Sequence, residues 1–234
     1  MNRLIVLKAL MQHKTLRNYL EIGVFNGHIF FRIRSGFKVA VDPDFAFDNT
    51  RKAGKLFLNP YNFYNQYFQK TSDDFFANDA ASVFAKEKVE LALIDGMHEY
   101  EFALRDVENT LLHSKENCVL ILHDCNPLTK DAACSFREWN DRHFTGTWNG
   151  DVWKTILHIR SLRNDLTAFV LDDDHGLGVI VKKKNEHPLP YTKEQINRFT
   201  YEDFDANRKK WLDLRPASYF YEFFGIPQPE SGAA

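Results

Sequence analysis

The chain has 234 residues, 44% of them hydrophobic and 26% charged, enough to bury one substantial core, so one main domain is expected. A formal net charge of -2 supplies no general basic field, which argues against a nucleic-acid partner and for a small or neutral one. Cys118, Cys125 and Cys134 form no CxxC pair and cannot all pair internally, which suits the reducing cytoplasm, and no apolar run approaches the roughly 20 residues of a membrane span, so no membrane partner is expected.

From the N-terminus, Leu4, Ile5, Leu7, Leu10, Met11 and Leu16 are interrupted by Lys8, His13 and Lys14. This predicts an amphipathic helix lying on the core and not a signal peptide, which needs an unbroken apolar stretch. Short apolar runs then end in acidic or turn residues with helical patterns between them, the alternation of a parallel sheet covered by helices. The expected strands are 19–24, 38–41, 66–70, 89–94 and 118–122. A helix is predicted over 100–115, with Phe102, Leu104, Val107, Leu111 and Leu112 on its buried face and Glu101, Arg105, Asp106 and Glu108 on its wet one. Beyond it, GTWNGD (146–151) leads into a helix over 152–160. The runs 166–171 and 178–182, joined by the turn-rich DDDHG, read as a hairpin at the sheet edge. Thr192, three residues before Gln195, is a candidate N-cap of a helical C-terminal part. The expected organisation is a main domain over 1–183 and an aromatic-rich helical appendage over 184–234, whose aromatics pack on that domain or form a homodimer contact.

The most informative segment is YLEIGVFNGH (19–28), a strand running into a tight turn and then a helix. Gly23 and Gly27 allow a ligand to approach the backbone, and the amides beyond can bond it. A dinucleotide fingerprint would read GxGxxG; here the pattern is ExGxxxG, and the carboxylate of Glu21 suits a ligand ammonium better than a phosphate. Asp42, closing the next strand, can accept both hydroxyls of a ribose. Together they describe a nucleoside-bearing ligand.

The segments YLEIGVFNG, VAVDP, TSDDFF, LALIDGMHEYEFALRDV and VLILHDCNP follow one another over residues 17–127. In them the chain resembles the class I methyltransferases, and within these the macrocin-type sugar O-methyltransferases. The resemblance implies an α/β, Rossmann-like, doubly wound and mostly parallel seven-stranded sheet with an antiparallel edge hairpin. It implies S-adenosylmethionine (SAM) as cofactor and methyl transfer to an oxygen of a small molecule such as a sugar. By the same resemblance Glu21, Gly23 and Gly27 line the methionine part of the cofactor with Asn26 as neighbour. Asp42 then holds the ribose, and Ser72 and Asp73 lie beside the adenine.

In a doubly wound sheet strands one, four and five have adjacent carboxyl ends, so Asp95, His98, His123 and Asp124 are expected to converge near the methyl donor. An acceptor hydroxyl must lose its proton as it attacks the sulfonium methyl, and a neutral imidazole is a suitable base. His98 is the preferred base and His123 the alternative, with Asp124 beside them. Asp95 and Asp124 could also hold Mg2+, although Cys125 stands where metal-dependent relatives carry a second acid. In GTWNGDVWK (146–154), Trp148 offers a flat face to an acceptor ring and Asp151 a hydrogen-bonding carboxylate, whereas a helix cap and a core position are the plainer uses of Asp151 and Trp153. Two other readings remain: a nicotinamide- or nucleotide-sugar-dependent Rossmann enzyme, and a non-catalytic SAM-binding module.

Overall fold

The structure, a computed structural model, describes residues 1–142 and 146–229. Five parallel strands, β1 (Asn18–Ile22), β2 (Phe37–Asp42), β3 (Asn65–Gln69), β4 (Val89–Ile94) and β5 (Ser114–Leu122), lie in the order β3-β2-β1-β4-β5. β1, β2 and β4 are buried along nearly their whole length because helices cover both faces, whereas β3 is the exposed edge and β5 is buried from Cys118 onward. β6 (Leu166–Leu171) and β7 (Leu177–Lys182) form the hairpin, and β7 runs antiparallel to β5. Because Leu122 pairs with Gly178, the turn between β6 and β7 lies at the carboxyl ends of the parallel strands.

Among the described residues the sheet has eight strands, not seven. The eighth, β8 (Leu214–Arg215), pairs parallel with Val170 and Leu171 of β6, so the hairpin is not the outermost element along its whole length. Two residues carry no alternation from which a strand could be read.

The helices are α1 (Arg3–His13), α2 (Asn49–Leu58), α3 (Ser72–Asn78), α4 (Ala80–Val83), α5 (Tyr100–Leu112), α6 (Phe136–Asp141), α7 (Trp153–Leu162), α8 (Lys193–Arg198), α9 (Tyr201–Leu212) and α10 (Tyr219–Phe224). Successive strand side chains point to opposite faces, and two cores result. On one, Leu20, Ile22, Ala92 and Ile94 meet Val107 of α5, Ile156 of α7 and Trp211 of α9. On the other, Tyr19, Leu91 and Leu93 meet Leu7 and Leu10 of α1 and Phe220 of α10. The helix predicted over 100–115 ends at Leu112. Ser114 already belongs to β5, whose polar first residues, with a register shift between Val89 and Leu91, extend the strand back from the expected 118.

Thr192 caps α8 reciprocally with Gln195, as its sequence predicts. The C-terminal part supplies β8 to the sheet and Phe204, Trp211, Leu212 and Phe220 to the cores. Its last residues, 230–234, lie outside the described residues. No helix among the described residues is long and apolar enough to cross a membrane.

Candidate active site

The turn after β1 sits at the carboxyl edge of the sheet. Gly23 has φ +80°, and a Cβ there would lie 1.9 Å from the carbonyl oxygen of Asp95; at Gly27 a Cβ would lie 2.3 Å from the Phe31 ring. The missing Cβ at Gly23 lets the turn pack against the backbone just after β4, and that at Gly27 makes room for the Phe31 ring, so both Cβ directions are filled by protein. Between them, the amide of Phe25 donates to Asp42 Oδ2 at 2.7 Å, while Asp44 N donates to Oδ1 at 2.7 Å. Asp42 thus fixes the turn and keeps one lone pair on each oxygen for a further donor. Asn26 Oδ1 accepts from His28 N at 2.9 Å. Glu21, buried on β1, accepts the Tyr19 hydroxyl at 2.5 Å, and burial pushes its carboxyl up to about 8.

At the start of α3 the cap is Thr71, which accepts from Asp74 N at 3.2 Å, and not Ser72. The Ser72 hydroxyl lies beside Asp106 of α5. Asp106 is buried, its Oδ1 has no hydrogen-bond partner among the described residues, and burial pushes its carboxyl up to about 7. Asp73 makes a bidentate pair with Arg105, at 3.0 and 2.8 Å, which holds its carboxyl below its ordinary value.

The ends of β4 and β5 bring the expected four groups together. His98 Nδ1 donates to the Trp148 carbonyl at 2.7 Å, which turns Nε2 toward Asp124 Oδ2 at 3.2 Å and Asp95 Oδ1 at 3.5 Å. Burial works against protonating His98, but Asp95 and Asp124 outweigh it and raise its pKa. His123 Nδ1 lies 2.9 Å from Asp124 Oδ2 and 3.1 Å from Asp95 Oδ1. Burial keeps Asp95 from ionising easily, yet His123, His98 and Arg3 together hold its carboxyl well below the usual range. Asp124 takes a left-handed backbone, φ +60°, and its Oδ1 accepts from Asn149 Nδ2 at 2.7 Å.

Three members of this cluster were not singled out from the sequence: Arg3, Asp174 and Asn149. Arg3 Nη1 is 2.7 Å from His123 Nε2 and 3.2 Å from Asp174 Oδ1, and its Nε is 3.5 Å from Asp95. Burial resists the protonated form of His123, whereas Asp95, Asp124 and Asp174 favour it. The guanidinium contact decides between them, since a donor can approach Nε2 this closely only when that nitrogen carries a lone pair. Asp174 was detectable in principle: the turn of a hairpin antiparallel to β5 must fall at the site's end of the sheet, which places DDDHG there.

The Trp148 ring lies tilted against His98, with ring centroids 5.0 Å apart, and stacks on Trp139 at 5.2 Å; its Nε1 donates to the Cys134 carbonyl at 2.8 Å. Asp151 Oδ1 accepts from Tyr100 N at 2.6 Å, and its Oδ2 lies 3.3 Å from Lys154 Nζ. It therefore caps α5 across space and not the helix it precedes, which has no side-chain cap. Asp151 also lines a cavity of about 510 Å3 with Glu99, Lys154, Phe199 and Tyr201. Trp153 is core, stacked on Phe204 at 4.6 Å.

Residues 20–125 match the family model described as a methyltransferase domain. No curated protein matches the chain. Among solved structures it is similar to the O-methyltransferase TomG from Streptomyces achromogenes, involved in tomaymycin synthesis and solved with SAM, at 13% identity and TM-score 0.57 over 77% of this chain and 79% of that one. It is also similar to cofactor-bound Rv0187 from MTB, at 13% identity and TM-score 0.53 over 76% and 78% of the two chains. A third likeness is to an O-methyltransferase from Bacillus cereus in complex with SAH, at 15% identity and TM-score 0.50 over 75% and 79%. The sheet order and the α/β layers are thus those of a Rossmann-like methyltransferase fold.

Proposed function

We propose that this chain is a SAM-dependent O-methyltransferase acting on a hydroxyl of a small molecule, a sugar of the macrocin type being the preferred class, in a reducing cytoplasmic setting. The observation that carries the reading is the convergence of Asp95, His98 and Asp124 beside the turn at Gly23, inside a methyltransferase domain. The residues fit the cofactor. Glu21 and Asp42 can meet an ammonium and a ribose, and the unpartnered Asp106 Oδ1 beside Ser72 offers an acceptor where the resemblance puts the adenine.

In this reading His98 takes the proton of the acceptor hydroxyl on Nε2 while Nδ1 stays bonded to Trp148, and Asp95 and Asp124 stabilise the imidazolium that forms. His98 suits the role better than His123 because its side chain is 21% exposed against 6%. Trp148 borders the same space and offers its ring to the acceptor.

The donor atoms of Asp95, His98 and Asp124 lie within 4.8 Å of one another, a set that fits one divalent cation, and since Nδ1 is held by Trp148 the ion would take His98 Nε2 and replace its role as base. The imidazole favours an ion such as Mn2+ or Zn2+ over Mg2+, and Cys125, bonded to the Leu122 carbonyl, stands apart from the set. A bound ion would lower the pKa of the acceptor hydroxyl. Isothermal titration with SAM, SAH and NAD, with and without divalent cations, tests the cofactor, and SAH release over a panel of sugar and phenol acceptors tests the reaction. Silence with SAM and SAH beside binding of NAD would overturn the reading.

A further inference from the structure

In a chain of net charge -2, one face gathers positive charge that no described carboxylate pairs with. Lys8, Arg32, Arg34 and Lys55 line a groove of about 820 Å3 whose walls include Phe31 and Leu58, and among the described residues no acid lines it. Among the described residues none of these four cations, nor Arg51, forms an ion pair with a carboxylate, whereas Arg105, Lys130, Arg163 and Arg208 do.

The helix that supplies Lys55 and Leu58, α2, is amphipathic yet has no buried residue. Phe57 is 90% exposed, Leu58 76%, and Phe63, in the short turn that follows at Pro60–Tyr64, 72%. Across residues 49–64 there are three cations and no acid. A helix that serves neither core leaves large apolar side chains in water for no gain to folding, and such a patch beside unpaired cations marks an interaction surface.

We propose that α2 and the turn after it dock this protein on an anionic lipid bilayer. Phe57, Leu58 and Phe63 enter the boundary between headgroups and acyl chains, and Arg51, Lys55 and the cations of the groove face the lipid phosphates. Charge complementarity selects this occupant. A second copy would bring the same unneutralised cations against themselves, and a single-stranded nucleic acid would use the cations and rings but leave the aliphatic Leu56 and Leu58 without a role. The surface also reaches the cofactor turn: Ala46, just ahead of α2, donates to the Phe25 carbonyl, and Phe25 is itself 65% exposed. An amphiphilic acceptor could then be methylated at the surface, a corollary that rests on the methyl-transfer reading, as the docking does not.

The test is co-sedimentation of the full chain with phosphatidylcholine vesicles, with and without phosphatidylglycerol, at low and high salt. Binding is expected with the anionic vesicles, about tenfold or more weaker without the anionic lipid, and suppressed by salt. The double variants Phe57→Ser/Leu58→Ser and Arg51→Glu/Lys55→Glu should each weaken it by about tenfold or more, with circular dichroism and SAM titration unchanged. No sedimentation with anionic vesicles at low salt, sedimentation indifferent to both variants, or retention on single-stranded RNA in place of vesicles would each overturn the proposal.

Discussion

The Arg3 guanidinium stands 2.7 Å from Nε2 of His123 and so ties the first turn of α1 to the end of β5. A guanidinium only donates, so Nε2 accepts and the ring proton sits on Nδ1, facing Asp95 and Asp124. Arg3→Ala removes that donor and leaves Asp174 without its guanidinium partner. His123 should then protonate under the pull of Asp95 and Asp174, and its Nε2 nitrogen resonance at neutral pH should move to the imidazolium position. The pair is partly buried, so the stability loss should be about 1–2 kcal/mol in urea unfolding, between exposed and buried ion pairs. An unmoved resonance would show that Arg3 does not set the protonation of His123.

Glu21 gives a pH dependence with a definite sign. Burial raises its folded pKa from 4.5 to about 8. Its contribution to stability is therefore complete below pH 4.5 and lost as pH rises through 8. Asp106, raised to about 7, acts in the same sense, so the informative quantity is the difference between wild type and Glu21→Gln. The variant should lose stability less steeply between pH 5 and 9, an interval chosen to span that window of about 4.5 to 8. If the ionised carboxylate meets the cofactor ammonium, SAM affinity of the wild type should rise toward pH 8, and the variant should bind roughly tenfold more weakly with no such rise. Calorimetry with SAM across the range decides it; parallel curves for the two proteins would remove Glu21 from the site.

His98→Ala should leave SAM affinity nearly intact and reduce kcat by about 10²–10⁴-fold on an identified acceptor. Because Asp95 and Asp124 raise the pKa of His98 against the effect of burial, the acidic limb of the wild-type kcat profile should have its midpoint above 6.5. A limb that survives in His98→Ala would transfer the role to another group, His123 being the nearest.

The parallel half of the sheet was legible because its strands are buried on both faces and two of them run into acids, Asp42 and Asp95, that mark the carboxyl edge. The same logic brings Asp95, His98, His123 and Asp124 to one place. The polar start of β5 was not legible, since residues 114–117 (SKEN) look like a helix end or a loop and are held as strand only by pairing with β4. Nor was the role of Arg3. It reads as the wet side of a surface helix, and only the direction in which α1 crosses the sheet carries it to His123. Asp151 shows a third limit: its cap lies on α5, a partner that sequence distance hides.

The loop over the site can be tested through Gly150. It has φ +58°, and a Cβ there would lie 1.6 Å from the His98 carbonyl oxygen, so alanine meets both a strained backbone and a clash with another backbone atom. The loop must lift, and the two residues before Gly150 carry contacts to the site: the Trp148 carbonyl on His98 Nδ1 and Asn149 Nδ2 on Asp124. Gly150→Ala should therefore cost about 2–4 kcal/mol in urea unfolding, shift tryptophan emission and abolish turnover. Gly54, inside α2 with open space around its Cβ position, is the control; alanine there should stabilise the chain by up to about 1 kcal/mol. Gly150→Ala with wild-type stability would mean that the loop does not rest on His98, and Trp148 would then have no fixed place beside that imidazole.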